Sequence, residues 1–403
     1  MIVSKDAEGL IEDDRRTLMP AMSEIIDWLA GDECHELDGA GLATELGRRL
    51  RAIGLPLDHL GLYLRALHPE ILGRTIAWTP DGPVQIIDRQ HGVELSVAFI
   101  NNPIRRVFET QKPLVLRVND WNDAAWTHID IFEGRQLVEM VILPLRNAGA
   151  LPSAVSFATT RNSGFTAAER AGFARISPAL RNACELRTLR SAEQTLLDTY
   201  VGEVTARRVL EGRIRRGQVE TLEAALMLCD LRGFTELSNR LPSERVVHLL
   251  NTYFDCVVPA VSEAGGEVIK FMGDAVLAFF HREDAPGACS AALRGALTAL
   301  ESLQKLAIPD AELRAGVALH YGKASYGNIG YGHRLDFTLI GPDVNLVSRL
   351  QGICSTTGQS LLMSERFARL LDPTLVMPLG PHQLKGFAEP AELYTLGSLR
   401  ATP

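Results

Sequence analysis

Val268–Phe280 reads VIKFMGDAVLAFF. Apart from Lys270, Gly273 and Asp274 the stretch is apolar, and the Gly-Asp pair between two apolar runs predicts a tight hairpin turn. Charged side chains are rarely buried whole, and an unpaired buried charge is costly enough to neutralise or find a partner. The turn accounts for Asp274. Lys270 is left with two readings, an intrachain salt bridge to an aspartate or a charge kept for a ligand.

Working outward from the hairpin, LEAALMLCDLRGF from Leu222 reads as a strand running into a glycine turn. LPSERVVHLLNTYFDCVVPAVSEAGG reads as a helix from about Ser243 to the pair Gly265 and Gly266. Beyond the hairpin come a helix in DAPGACSAALRGALTALESL and the strand LRAGVALHYG. RLDFTLIGPDVNLVSRLQGI gives a strand, a turn and a helix from about Val344, and SLLMSE and ELYTLG follow as the last strands. Alternating β and α elements with an antiparallel hairpin predict an α+β fold of the ferredoxin-like kind over residues 219–403.

Toward the N-terminus, ELRTLRSAEQTLLDTYVGEVTARRVLEGRIRR reads as a helical linker over residues 188–218. Leu189, Leu196, Leu197, Tyr200, Val204 and Val209 lie near one seam, suiting either a paired connecting helix or a spacer packed on its own chain. Residues 40–187 mix helical and strand patterns, including the paired apolar runs of LVEMVILPLRNAGALPSAVSFAT and the capped amphipathic helix of GFTAAERAGFARISPALRNAC. This order, with the helix PIRRVFETQ and the strand KPLVLRV, resembles a GAF-type sensory domain, a PAS-like domain being the alternative. Trp121, Trp126 and His128 fall in a polar loop, either a cradle for an unknown small-molecule ligand or caps on the core beneath. Residues 1–39 read as a helical arm, from the periodicity of MSEIIDWLA.

The whole chain of 403 residues is too long for one ordinary core. Its net charge of −8 gives no electrostatic reason to expect nucleic acid or an anionic membrane as partner. No run of 18 apolar residues occurs, and the opening MIVSKDAEGLIEDDRR is too acidic for a secretory signal. Six scattered cysteines without a CxxC pair suit reduced thiols, so the expectation is a cytoplasmic protein.

The chemistry centres on Asp230 and Asp274. Asp230 stands where the strand ALMLC meets the turn RGFT, a place that suits a turn former as well as a metal ligand. If adjacent strands bring the two aspartates together, they can hold hard cations, with magnesium and substrate phosphates the usual partners. In a two-fold dimer, Asp274 can serve one site while Lys270 serves the other.

LMLCDLRGFTELS, VIKFMGDAVLAFF and DFTLIGPDVNLVSRL resemble, in order, the three motif segments of class III nucleotidyl cyclases, with strands in YGKASYGNIG and LKGF around the third. The resemblance runs from about Leu196 to Leu396. It implies that Asp230, Asp274 and the Leu231 carbonyl hold Mg2+, Mn2+ also fitting. It implies that the amides of Gly233, Phe234 and Thr235 cradle the β- and γ-phosphates, with Arg334 and Lys385 as further phosphate contacts. Lys270 and Thr338 match the pair that reads the purine. A lysine donor suits adenine, whereas guanine-specific members carry a carboxylate there to accept from guanine. Asn345 and Arg349 match the ribose-orienting asparagine and the arginine that meets charge on the α-phosphate, and an i, i+4 spacing puts both on one helix face. Pro342, Asp343 and Val347 depart from the usual pattern, which puts the packing of that helix in question. The implied activity is that of a homodimeric adenylyl cyclase acting on ATP and regulated by the N-terminal domain. The alternatives are a guanylyl cyclase and a nucleotide-binding signalling module without turnover.

Overall fold

The computed structural model describes residues 5–100, 102–117, 136–145, 152–308, 312–332 and 334–397. Trp121, Trp126 and His128 lie outside the described residues. The chain divides into two compact units, Met1–Leu196 and Leu197–Pro403.

The first unit opens with helices α1 (Lys5–Ala30), α2 (Asp32–Glu36) and α3 (Gly39–Ala52). Strands β1 (His59–Arg65), β2 (Ile71–Trp78) and β3 (Gln85–Gln90) follow, then helices α4 (Val97–Ile100) and α5 (Pro103–Thr110). Strands β4 (Leu114–Arg117), β5 (Glu139–Leu145) and β6 (Ser153–Thr159) complete an antiparallel sheet of order β3-β2-β1-β6-β5-β4. Because side chains alternate across a strand, the sheet has two differently covered faces. Leu60, Leu62, Ile76, Val155 and Phe157 face Leu42 and Leu46 of α3 and helix α6 (Ala167–Val201). Tyr63, Met140, Ile142 and Ala154 face Ile104 and Val107 of α5.

Two expectations change here. The helix read as an arm buries Met22, Ile25 and Trp28 in the same core, since its apolar stripe has a sheet to cover. The linker helix is no separate element: α6 starts at a capping box, where Thr166 and Glu169 bond each other's amides, and runs on to Val201. It breaks at Gly202, whose φ of 83° is left-handed, and resumes as α7 (Glu203–Leu210), so residues 211–216 are not helical.

The second unit continues with β7 (Val219–Leu231), α8 (Phe234–Arg240), α9 (Ser243–Glu263), β8 (Glu267–Met272), β9 (Ala275–Phe280) and α10 (Ala285–Gln304). Then come β10 (Ala315–Tyr331), β11 (Arg334–Ile340), α11 (Pro342–Thr357), β12 (Leu361–Ser364), α12 (Glu365–Ala368), β13 (Val376–His382) and β14 (Ala391–Leu396). The sheet order is β13-β14-β12-β10-β7-β9-β8, with β11 also on β10. Its middle, β10-β7-β9-β8, is antiparallel throughout and has the strand order of the split βαβ arrangement expected from sequence. Odd-numbered β7 residues such as Met227 and Cys229 pack under α9 and α10. Even-numbered ones such as Leu226 and Leu228 pack under Val347 and Leu350 of α11. LKGF is a loop and turn between β13 and β14, not a strand: Leu384 is buried against the α11 side while Lys385 stays exposed. Among the described residues no helix is long and apolar enough to cross a membrane.

Candidate active site

Asp230 is the last residue but one of β7, paired with Gly316 on β10 and Ala275 on β9. By parity with Leu228 it belongs to the α11 face of the sheet. Gly273 takes φ 69°, the left-handed turn conformation glycine allows, so the β8–β9 hairpin reverses tightly and sets Asp274 beside the end of β7. The two carboxyl groups meet. Burial pushes the Asp230 carboxyl up to about 7, its hydrogen bonding and repulsion with Asp274 add to this, and the Leu231 amide and Gln351 side chain oppose it. Among the described residues neither aspartate has a basic side chain in an ion pair with it. Two facing carboxylates without a cation of the protein's own are the donor set of a hard divalent ion. No three His, Cys, Asp or Glu side chains converge anywhere among the described residues.

The turn after β7 places Gly233 at φ 69° as the residue before α8, so the Gly233, Phe234 and Thr235 amides stand at a helix start. Leu231, whose carbonyl was expected as a ligand, has its side chain in the core under α9.

Lys270 is salt-bridged within the chain, but to Asp336 rather than Asp274: its Nζ lies 2.7 Å from the Asp336 carboxylate. Asp336 stands two residues before Thr338 on β11, so both lie on one face of that strand. Thr338 is buried opposite Gly327 of β10. The structure thus draws Lys270 to the strand that carries Thr338.

Gly341 precedes α11 and Pro342 takes its first turn, so the helix begins two residues ahead of the expected Val344. Val347, Leu350, Gln351 and Cys354 are its buried side, and Asn345 and Arg349 share the exposed side. The departures from the usual motif find places: Val347 is wholly buried, and Asp343 accepts the Lys323 amide at 2.6 Å, tying the start of α11 to β10. Arg334 is exposed at the start of β11, and Lys385 is exposed in the β13–β14 connection.

Sequence reading missed Asp336 and Gln351. Asp336 lies inside a quoted motif but makes its contact through the folding of β8 toward β11, and no local spacing reports that. Gln351 could have been found as the buried polar residue one turn beyond Val347 and aimed at the sheet.

Residues 218–398 match the family described as the adenylate and guanylate cyclase catalytic domain. The C-terminal unit carries a class III cyclase catalytic domain. An adenylate cyclase of Anabaena cylindrica is 28% identical over 196 residues, covering 46% of this chain and 38% of that protein. Adenylate cyclase 1 of Rhizobium meliloti is 33% identical over 190 residues, 44% of this chain and 28% of that protein. The match therefore spans well under half the length of these curated relatives. A solved bacterial light-regulated adenylyl cyclase is 27% identical, with 55% of this chain and 65% of that one covered at a TM-score of 0.48. In the C-terminal unit the expected site positions stand on β7, the start of α8, β8, the β8–β9 turn, β11 and α11, apart from Lys385.

Proposed function

We propose that the chain is an adenylyl cyclase, converting ATP to 3′,5′-cyclic AMP and pyrophosphate. The observation that carries the reading is the meeting of Asp230 and Asp274 with no basic side chain in an ion pair with either among the described residues. Those carboxylates and the Leu231 carbonyl would hold magnesium, or manganese, the remaining positions falling to substrate phosphates. Bound there, the ions supply Lewis-acid activation of the ribose hydroxyl and offset charge on the leaving group. The bond formed joins ribose O3′ to the α-phosphorus. The bond broken joins that phosphorus to the bridging oxygen, which departs with pyrophosphate, and the hydroxyl proton is released.

The chain's own groups bind and orient. Lys270 donates to the adenine and Thr338 offers its hydroxyl, Asn345 fixes the ribose, and Arg349 meets charge developing on the α-phosphate. The Gly233, Phe234 and Thr235 amides, with Arg334 and Lys385, take the β- and γ-phosphates. Removing one such preorganised contact, as in Arg349→Ala, typically costs about 2.7–4 kcal/mol of activation energy, or roughly a hundredfold to a thousandfold in rate.

The active unit in this reading is a homodimer, with Asp230 and Asp274 of one copy facing Lys270, Thr338, Asn345 and Arg349 of its partner. Two features support it. Within one chain Lys270 is paired with Asp336, and edge strand β8 leaves Phe271 51% and Met272 42% exposed. The N-terminal unit is read as a GAF-like regulator, supported by its six-stranded antiparallel sheet with helices on both faces. A cytoplasmic setting suits an ATP-consuming enzyme whose described cysteines are all unpaired.

Incubating the purified chain with ATP and magnesium should give cyclic AMP, and Asp274→Ala should abolish it. Preference for GTP would overturn the assignment of Lys270 and Thr338. Nucleotide bound without cyclic product would favour the signalling module.

A further inference from the structure

A cavity of about 500 Å³ opens in the N-terminal unit where the end of β1, the α2–α3 connection and the Arg187–Thr195 stretch of α6 come together. Four arginines line it, and they are not alike. Arg74 is neutralised by Asp88 through two bonds of 2.6 and 2.9 Å. Arg65, Arg187 and Arg190 have no carboxylate in ion-pair contact among the described residues. Arg187 directs its guanidinium at the carbonyls of Leu37 (2.9 Å), Ala183 (2.7 Å) and Cys34. Arg190 meets His35 Nε2 at 2.7 Å, which requires that nitrogen to be the unprotonated acceptor. Among the described residues the Nε of Arg65 is buried with no hydrogen-bond partner, and the charge of Glu94 favours that guanidinium. The two remaining acidic groups on the rim do little to offset this: Asp38 caps α3 by accepting the Gly41 amide at 2.7 Å, and Glu36 is exposed. Beside the charge, the wall is apolar, made by Leu37, Leu64, Leu67, Ile71 and Ile76.

We propose that this cavity binds a small amphipathic organic anion, its carboxylate or phosphate head on Arg65, Arg187 and Arg190 and its apolar body against Leu37, Leu64 and Leu67. The volume is in the range of small-molecule sites, which join an apolar lining to a few convergent polar groups. Guanidinium groups held without carboxylates suit the planar, charge-assisted pairing such a head offers. Leu64 and Ile76 put the site on the sheet face covered by α3 and α6, while Arg65, which alternation assigns to the opposite face with Tyr63, lines the cavity at the end of β1 beside Leu67 and His68. Arg187 and Arg190 belong to α6, so an occupant would fasten that stretch of the helix to the end of β1. That occupancy also sets the cyclase rate rests on the regulatory reading above; the binding itself does not.

The test uses the full chain and reads heat, so it does not depend on turnover. Octanoate and phenyl phosphate are titrated by calorimetry against octanol and phenol, which share the apolar bodies without the charge. At least one anion should bind with Kd below about 1 mM and raise the Tm of the N-terminal unit, while its neutral counterpart does neither. Arg65→Gln and Arg190→Gln, checked for folding by circular dichroism, should each weaken that binding about tenfold. Which anion binds distinguishes a carboxylate from a phosphate ligand. Binding by neither anion, equal binding of an anion and its neutral counterpart, or affinity unchanged in both variants would overturn the proposal.

Discussion

Asp230 holds its proton more tightly in the folded chain than in the unfolded one, because burial and the Asp274 carboxylate both disfavour its charge. An ordinary aspartate of this kind titrates at 3.8, and here the value rises to about 7. The sign follows from linkage. In metal-free protein this group's contribution to stability is complete below the lower value and is lost as pH rises toward the upper one. Asp274→Asn removes the neighbouring charge, so the variant should lose less stability than the parent between pH 5 and pH 8. Urea midpoints at the two pH values measure it, and identical pH dependence in both proteins would count against the pairing. At Lys270 the expected change is in choice of base. Lys270→Glu sets a carboxylate against Asp336 and replaces a donor by an acceptor, so kcat/KM for ATP should fall by at least about a hundredfold while that for GTP falls less. An unchanged ATP to GTP ratio would remove Lys270 from base recognition. The places of Asp230, Asp274, Lys270, Thr338, Asn345 and Arg349 in the fold were legible because each stands in a short motif. Asp336 was not, because its partner Lys270 is far away in sequence, whereas Gln351 carried the weaker signal of a polar residue on the buried side of α11.

At the level of elements, α6 and α7 show where periodicity misleads. An apolar seam continues past residue 201, so pattern alone reads one helix to about 216. The one contrary signal is Gly202, and its left-handed φ is what separates the two helices. Alanine there must either adopt that φ, at a cost of about 1–2 kcal/mol, or extend α6 into α7. Its Cβ would also come within 3.4 Å of the Val268 carbonyl, at the start of the hairpin that carries Lys270. Gly202→Ala should therefore lower the Tm of the C-terminal unit by roughly 2–8 °C in differential scanning calorimetry. A Tm equal to or above that of the parent would mean that the break is not required. The hairpin, α9 and α10 were legible for the opposite reason: each is bounded by glycine, proline or aspartate chemistry that fixes its ends. β10 was read as two strands, LRAGVALHYG and YGKASYGNIG, and is one, running unbroken through Gly322 to Tyr331. The loop at LKGF was read as a strand from a family likeness, and there the buried Leu384 supplies the apolar signal without any strand pairing.

For the whole molecule, the sequence distinguished two kinds of texture, and the structure divides at Leu196 and Leu197, inside what was read as the linker. The α+β order of the C-terminal unit could be read because alternating elements leave few sheet topologies open. The membership of α1 in the N-terminal core could not, since an amphipathic helix does not say which sheet it covers. Oligomeric state enters the function at this scale. If one copy supplies the aspartates and its partner the purine-reading and ribose-orienting groups, a chain carrying Asp274→Ala and a chain carrying Lys270→Ala are each inactive but complement each other. Their heterodimer has one site with both defects and one intact site. The most direct measurement is the cyclic AMP rate of an equimolar mixture after subunit exchange, shown by differently labelled chains. Free exchange makes half the dimers mixed, so the rate should reach about a quarter of the parent's. A mixture that exchanges subunits yet makes no more cyclic AMP than either variant alone would contradict the shared site.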